Sequence, residues 1–229
     1  MQSGKVVTVD LSPDDIEVQP EPYLEVKYFL QRDVVADDPF TLQKEPSEPF
    51  TLAVMMNNIG NGTARNLRIG SSQPKIRENT KGLLIDFKII GTQLGYSQVQ
   101  PSLNINFGNI APQSTTVARW LMTCSLVGHF TEYNASYEYI SPDGDPRLSV
   151  IESLTIHELI HVVQVDGQQQ HQNFDAPNQQ LTQSDSLPDM LVNDDPDPDI
   201  LPDKIHSSKG SAYDLLVLPH LVPDAGLIL

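Results

Sequence analysis

The sequence predicts an all-β protein, built as an antiparallel β-sandwich that is followed by an acidic spacer rich in proline, glutamine and aspartate. About eight short segments of alternating apolar and polar residues recur at a spacing of roughly 10–15 residues, separated by turn residues. No capped helical segment lies between them. Their one-sided patterning favours antiparallel sheets with one solvated face over a buried parallel sheet.

The individual strands follow from alternation and from the turn residues that bound them. YLEVKYFLQ (23–31) alternates between two turns, and PFTLAVMMNNIG (49–60) ends in a polar turn. Asn61-Gly62 is the strongest short hairpin signal, so a hairpin connection is expected to lead into the next strand, 61–70. The remaining predicted strands are 82–94, 102–112, 114–126, 129–140 and 148–165.

Composition divides the chain into three parts. Residues 1–166 are predicted to form the sandwich domain, with 1–48 as leading strands and 49–165 as its core. Residues 168–203 contain eight Asp, seven Gln and five Pro but no Lys or Arg. Such a segment cannot bury enough apolar surface to offset its ordering entropy, so 167–203 is predicted to be a disordered acidic linker. Residues 204–229 are expected to start a second module or form an ordered tail.

The charge balance and the apolar segments exclude several classes of partner. A net charge of −16 argues against a nucleic-acid surface, which needs a basic stripe, and against binding to anionic lipid. No apolar segment approaches the roughly 18 residues of a membrane span, so no membrane insertion is expected.

The N-terminal sequence MQSGKVVTVDLSPDD contains no visible signal peptide, so we expect either a cytosolic protein or a piece of a longer exported chain. The single cysteine, Cys124, is expected to be a buried apolar residue rather than a nucleophile.

NNIGNGTARNLRI (57–69) resembles the strand–turn–strand signature of CARDB-type and related immunoglobulin-like modules. Its pattern is carried by Asn58, Gly60, Gly62 and Ala64, and NFGNIAPQSTTVARWLM downstream also fits it. The resemblance covers about residues 49–165. It implies an immunoglobulin-like sandwich, an extracellular or cell-surface adhesion or spacer role with neighbouring modules in series, and no catalytic residues.

TIHELIHVVQV (155–165) contains HELIH, which matches the HExxH pattern of zinc metallopeptidases. In such an enzyme His157 and His161 would bind zinc and Glu158 would act as the general base. The spacing serves this purpose only on a helix, where residues four apart lie about 6 Å apart on one face. On a strand the same residues are about 13 Å apart and cannot share an ion.

The residues around HELIH favour a strand. Eight of the sixteen residues in 150–165 are β-branched, although Ile156, Leu159, Ile160 and Val163 do fall at helical spacing. A third zinc ligand has little support, because Gln164 and Gly167 occupy the positions where the extended pattern needs Gly and His. His171 or Asp175 could serve, but both lie in the predicted spacer, which offers no rigid surroundings for a ligand. We therefore expect a strand over Ile151–Val163 and no enzymatic activity.

Two further kinds of site are candidates. Asp194, Asp195, Asp197 and Asp199 alternate with prolines and could bind Ca²⁺, which would stiffen the linker between modules. The alternative is a solvated, extended linker with no cofactor. Asn61 and Asn134 lie in N-glycosylation sequons and would be modified if the chain is exported.

These observations together predict a non-enzymatic structural or adhesion module of a larger cell-surface or extracellular protein. Its partner would be a protein or a matrix component, which the sequence does not identify. A zinc metallopeptidase that uses HELIH and a calcium-stiffened spacer are the two alternatives.

Overall fold

The computed structural model describes residues 18–71, 74–76, 84–133, 136–138, 150–163, 189–195, 197, 200 and 202–215. All helical or strand structure in these ranges is β-strand, which confirms the all-β prediction. Within the same ranges no helix is long and apolar enough to cross a membrane.

The described residues form fifteen strands. They are Leu24–Leu30 (β1), Asp33–Val34 (β2), Phe50–Asn58 (β3), Ala64–Ser71 (β4), Pro74–Ile76 (β5), Phe87–Leu94 (β6), Ser97–Val99 (β7), Ile105–Ile110 (β8), Ser114–Cys124 (β9), Gly128–Tyr133 (β10), Ser136–Glu138 (β11), Ile151–Val163 (β12), Asp189–Val192 (β13), Lys204–His206 (β14) and Ala212–Asp214 (β15). Nine of them form one sheet in the order β15-β14-β13-β12-β1-β3-β9-β6-β7. Two three-stranded sheets have the orders β2-β10-β5 and β11-β4-β8.

Strand pairing is antiparallel almost throughout, as the alternating patterns predicted. The exception is β1, which pairs antiparallel with β3 and parallel with β12. A parallel pair needs a long crossover connection, and β12 follows β1 only after the chain has passed through the other sheets. The alternation in β1 and β12 favoured antiparallel neighbours, so the sequence did not reveal this one parallel pair.

The larger core joins the nine-stranded sheet to the β11-β4-β8 sheet. Alternate residues of β3 (Leu52, Val54 and Met56) are 0% exposed and belong to one cluster with β1, β4, β8 and β9. Trp120 of β9 is fully buried there, and its indole N–H donates to the Ser102 carbonyl at 2.7 Å. The alternation that predicted the strands therefore also selected the side chains that face this core.

A second, smaller core lies on the opposite face of the same sheet. Phe29, Ala53, Met55 and Val117 point away from the first core and are nevertheless buried. They pack with side chains from β12 and β13, namely Leu159, Met190 and Val192. The central strands are therefore covered on both faces, so the solvated face that their alternation suggested is absent around β1 and β3.

The C-terminal part of the chain differs from the predicted spacer. Residues 167–188 of that prediction lie outside the described residues, whereas Asp189–Val192 forms β13. This strand forms because its sequence, DMLV, places the apolar side chains of Met190 and Val192 on one face, where both are fully buried. The composition of the surrounding acidic stretch masked this short apolar run. β14 and β15, in the predicted second module or tail, extend the same nine-stranded sheet.

The Asn61-Gly62 connection is not a hairpin. β3 belongs to the nine-stranded sheet and β4 to the β11-β4-β8 sheet, so the connection crosses between two sheets. Both edges of β3 are already paired, with β1 and β9, which leaves no edge for β4. The Asn-Gly signal correctly located a turn, but a dipeptide carries no information about which strand edges are available for pairing.

The buried side chain of Asn58 organises this crossing. Its amide nitrogen donates to the carbonyls of Gly62, Ile110 and Ala111 at 2.8, 3.1 and 3.1 Å. Its amide oxygen accepts from the backbone N–H groups of Gly60 at 3.1 Å and Tyr23 at 3.3 Å. One side chain thus satisfies backbone groups of the residues before β1, the β3–β4 connection and the β8–β9 turn.

The two glycines of the crossing are required by close packing. A Cβ atom at Gly62 would lie 2.0 Å from the Pro20 carbonyl oxygen, and one at Gly60 would lie 2.4 Å from the Tyr23 nitrogen. These neighbours are backbone atoms that cannot move aside without displacing the chain before β1. The N-x-G-x-G-x-A pattern therefore encodes the contact between the β3–β4 connection and residues 20–23.

We expect Asn58→Ala to lower the free energy of unfolding by roughly 2–4 kcal/mol, because it leaves several buried backbone groups without a partner. Urea denaturation followed by tryptophan fluorescence measures the loss. Asn104→Ala is the matched control, since Asn104 is exposed. Equal stability of the two variants would show that the Asn58 amide does not hold the crossing.

Candidate functional site

HELIH lies within the strand β12, as predicted. β12 pairs with β1 along Ile151–Glu158 and with β13 along Leu159–Val163. Four residues along a strand span about 13 Å, so β12 does not bring His157 and His161 to one metal ion. The side chain of His161 lies outside the described residues. The helical geometry that a zinc metallopeptidase motif needs is therefore not present in this segment.

His157 instead takes part in a cluster of side chains on the outer face of the sheet. Its Nδ1 lies 2.9 Å from Oδ2 of Asp194, and Oδ1 of Asp194 accepts from the Glu158 N–H at 3.3 Å. The ring stacks on Phe29 with centroids 5.4 Å apart, and its centroid is 4.4 Å from that of His206. The motif histidine thus connects β1, β12, β14 and the acidic residues after β13.

His206 is the buried member of this cluster. It is 4% exposed, and neither ring nitrogen has a hydrogen-bond partner within the described part of the chain. Burial lowers its pKa from 6.5 to about 4, and the neighbouring side chains of His157, Lys27 and Lys204 act in the same direction. Asp194 opposes them. The ring is therefore neutral at physiological pH.

Two of the candidate calcium ligands, Asp194 and Asp195, accept local hydrogen bonds through their carboxylates. Oδ1 of Asn193 accepts from the Asp195 N–H at 3.0 Å, and Oδ1 of Asp195 accepts from the Asp197 N–H at 2.9 Å. Asp194 binds His157 and the backbone of β12, and Asp199 lies outside the described residues. Over the ranges given above, no group of three His, Cys, Asp or Glu side chains is placed to hold a metal ion. Calcium binding by this run stays a prediction.

Glu158, the candidate general base, forms an ion pair with Arg32. The Arg32 guanidinium also donates to the Asp195 carbonyl at 3.0 Å, so it bridges β12 and the acidic turn. An open cavity of about 250 Å³ adjoins this pair. Its other lining residues are Gln31, Asp33, Leu159, Ile160 and Asn193. Glu158 is thus engaged in a contact between neighbouring parts of the fold.

One of the two glycosylation candidates can be placed. Asn61 is exposed in the β3–β4 connection, where its side chain is accessible to solvent. Asn134 lies outside the described residues. Modification at either site stays a prediction.

Cys124, at the end of β9, is buried, as predicted, and is a free thiol. Burial raises the pKa of its thiol, an effect only partly offset by hydrogen bonds from the backbone of Leu126 and Ser125. A raised pKa reduces the fraction of thiolate, the form that reacts. This environment suits packing rather than nucleophilic chemistry.

The cluster around His206 was not predicted from the sequence. His206 lies in KIHSS, which contains no recognisable motif, and it meets His157 only because β12, β13 and β14 are neighbours in the sheet. The apolar run at Met190–Val192 was the available signal, since it could have indicated that the chain returns to the sheet after 188.

No family model, no curated protein and no solved structure matches this chain.

We expect Cys124 to react slowly with a thiol reagent such as DTNB at pH 8 in the folded protein, because it is buried and its pKa is raised. Unfolding in urea should restore the rate of a free cysteine. The measurement is the absorbance change on disulfide exchange, with and without urea. A rate in the folded protein equal to that in urea would mean that the thiol is accessible.

Proposed function

We propose that this chain is a non-enzymatic structural or adhesion module of a larger cell-surface or extracellular protein. The observation that carries the proposal is that HELIH, the one catalytic-looking motif in the sequence, is part of strand β12. Three consecutive side chains of the motif have structural contacts. His157 binds Asp194, Glu158 pairs with Arg32, and Leu159 is buried in the second core.

An immunoglobulin-like sandwich is the fold that we propose for the module. In its favour, one core joins strands of the nine-stranded sheet to strands of the β11-β4-β8 sheet. The residues that carry the resemblance to CARDB-type modules, Asn58, Gly60 and Gly62, hold the connection that crosses between these sheets. Modules of this kind act in series, and their surfaces rather than a catalytic centre provide function.

The expected partner is a protein or a matrix component. The net charge of −16 keeps the module soluble and favours partners with basic surfaces. Neighbouring modules of the same chain would present it to that partner.

We expect less than about 0.1 zinc per chain in protein purified without chelator and analysed by plasma mass spectrometry. Glu158→Gln should leave any background hydrolysis of a peptide library unchanged, because Glu158 pairs with Arg32 and not with a metal-bound water. The substitution should cost little stability, since the pair is partly exposed. One zinc per chain, with hydrolysis abolished by Glu158→Gln, would establish the metallopeptidase instead.

Adhesion itself is tested with beads that carry the full chain. They should be retained on surfaces coated with extracellular matrix proteins more strongly than beads carrying the Asn58→Ala,Gly62→Ala double variant, which we expect to be unfolded. Retention should weaken with added salt, because the chain is strongly acidic. Equal retention of both kinds of bead on every coating would argue against an adhesive role.

A further inference from the structure

The C-terminal strands β13, β14 and β15, with the turn 207–211, form a cover over the outer face of the central sheet. We refer to them as the C-terminal cover. Met190 and Val192 of β13 are fully buried against Phe29 and Met55. At the other end, the Thr115 hydroxyl on β9 donates to the Lys209 carbonyl at 3.0 Å. The cover is therefore attached to the sheet at both β12 and β9.

His206 lies between the cover and the sheet. Its ring meets Phe29 of β1 edge-on, with centroids 5.3 Å apart, and the ring of His157 at 4.4 Å. Among the residues that the structure describes, neither of its nitrogens has a hydrogen-bond partner, so this part of the docked cover offers no acceptor to a protonated ring. Leaving the docked position is the simplest way for this ring to gain water as a partner.

The charges that face His206 favour the neutral ring. Lys27 of β1 and Lys204 of β14 are positive, and His157 of β12 adds a further positive charge when it is protonated. Of the charged groups that the structure describes around the ring, Asp194, after β13, is the negative one. Its carboxylate is already shared between His157 and the Glu158 N–H.

We infer that His206 acts as a proton-sensitive latch, which keeps the C-terminal cover docked at neutral pH and releases it in mildly acidic solution. Protonation gives the ring two N–H donors and a charge in a buried site where the described residues supply no hydrogen-bond acceptor to it. Release of the cover returns the ring to solvent, where the charged form is stable. The outer face with Phe29 and Met55 then becomes accessible.

The direction of the pH dependence follows from the lowered pKa. Between pH 6.5 and about pH 4 the released state binds a proton at His206 that the docked state does not. The docked state is therefore at its most stable, relative to the released state, above about pH 6.5, and this stability decreases as the pH falls. In this window the equilibrium constant for release rises about tenfold for each unit by which the pH is lowered.

Hydrogen–deuterium exchange of the full chain tests the latch. The amides of β13 and β14 are followed from pH 7 to pH 4.5, with rates corrected for the intrinsic effect of pH. In the wild type their opening constant should rise about tenfold per pH unit below 6.5, while amides of β3 and β9 stay protected. In His206→Phe, which keeps an aromatic ring against Phe29 but cannot bind a proton, the opening constant should stay nearly constant.

His129→Phe is the control for the loss of a histidine elsewhere, since His129 lies on β10 in another sheet. It should keep the wild-type pH dependence. If the opening constant depended on pH equally in wild type and His206→Phe, or if β3 and β9 opened together with the cover, the latch would be overturned.

NMR titration of His206 in the wild type gives an answer that does not depend on any variant folding. Titration near 4 together with shifts in β13 supports the latch, and an ordinary value near 6.5 contradicts it.

Discussion

The arrangement of the sheets depends on the buried amide of Asn58. It lies where the chain leaves the nine-stranded sheet for the β11-β4-β8 sheet, a place where backbone groups are withdrawn from water without the ladder bonds of a strand. Because an amide both donates and accepts, it can satisfy carbonyls of the β3–β4 connection and the β8–β9 turn, and N–H groups of the β3–β4 connection and of the residues before β1. A carboxylate could accept but not donate, and an aliphatic side chain could do neither.

The second constraint is that the central strands are buried on both faces. β3 is paired on both edges and covered by one core on each side, so five consecutive residues, 52–56, are fully buried. Such a strand would expose Ala53 and Met55 if the C-terminal strands were absent. The acidic chain beyond β12 therefore contributes to the fold through Met190 and Val192.

Much of the fold could be predicted from local patterns, and what could not depends on residues distant in sequence. Alternation in β1, β3, β8 and β9 marked the strands, and the β-branched residues around His157 indicated a strand where the motif suggested a helix. Alternation does not report which strands pair, so the parallel β1–β12 pair and the crossing at Gly62 had no signal. The cluster of His157, Asp194 and His206 combines residues from three separate segments, and only the sheet order brings them together.

The parallel pairing of β1 with β12 determines how this part of the molecule bears a mechanical load. Leu24 lies beside Ile151 and Leu30 beside Glu158, so the start of β1 and the end of β12 are at opposite ends of the pair. Tension applied before Leu24 and after Val163 pulls the two strands past each other along their length. The evenly spaced ladder bonds of a parallel pair then share the force and must break together rather than one after another. A strand pair loaded in shear in this way resists extension much better than a hairpin that is opened from one end.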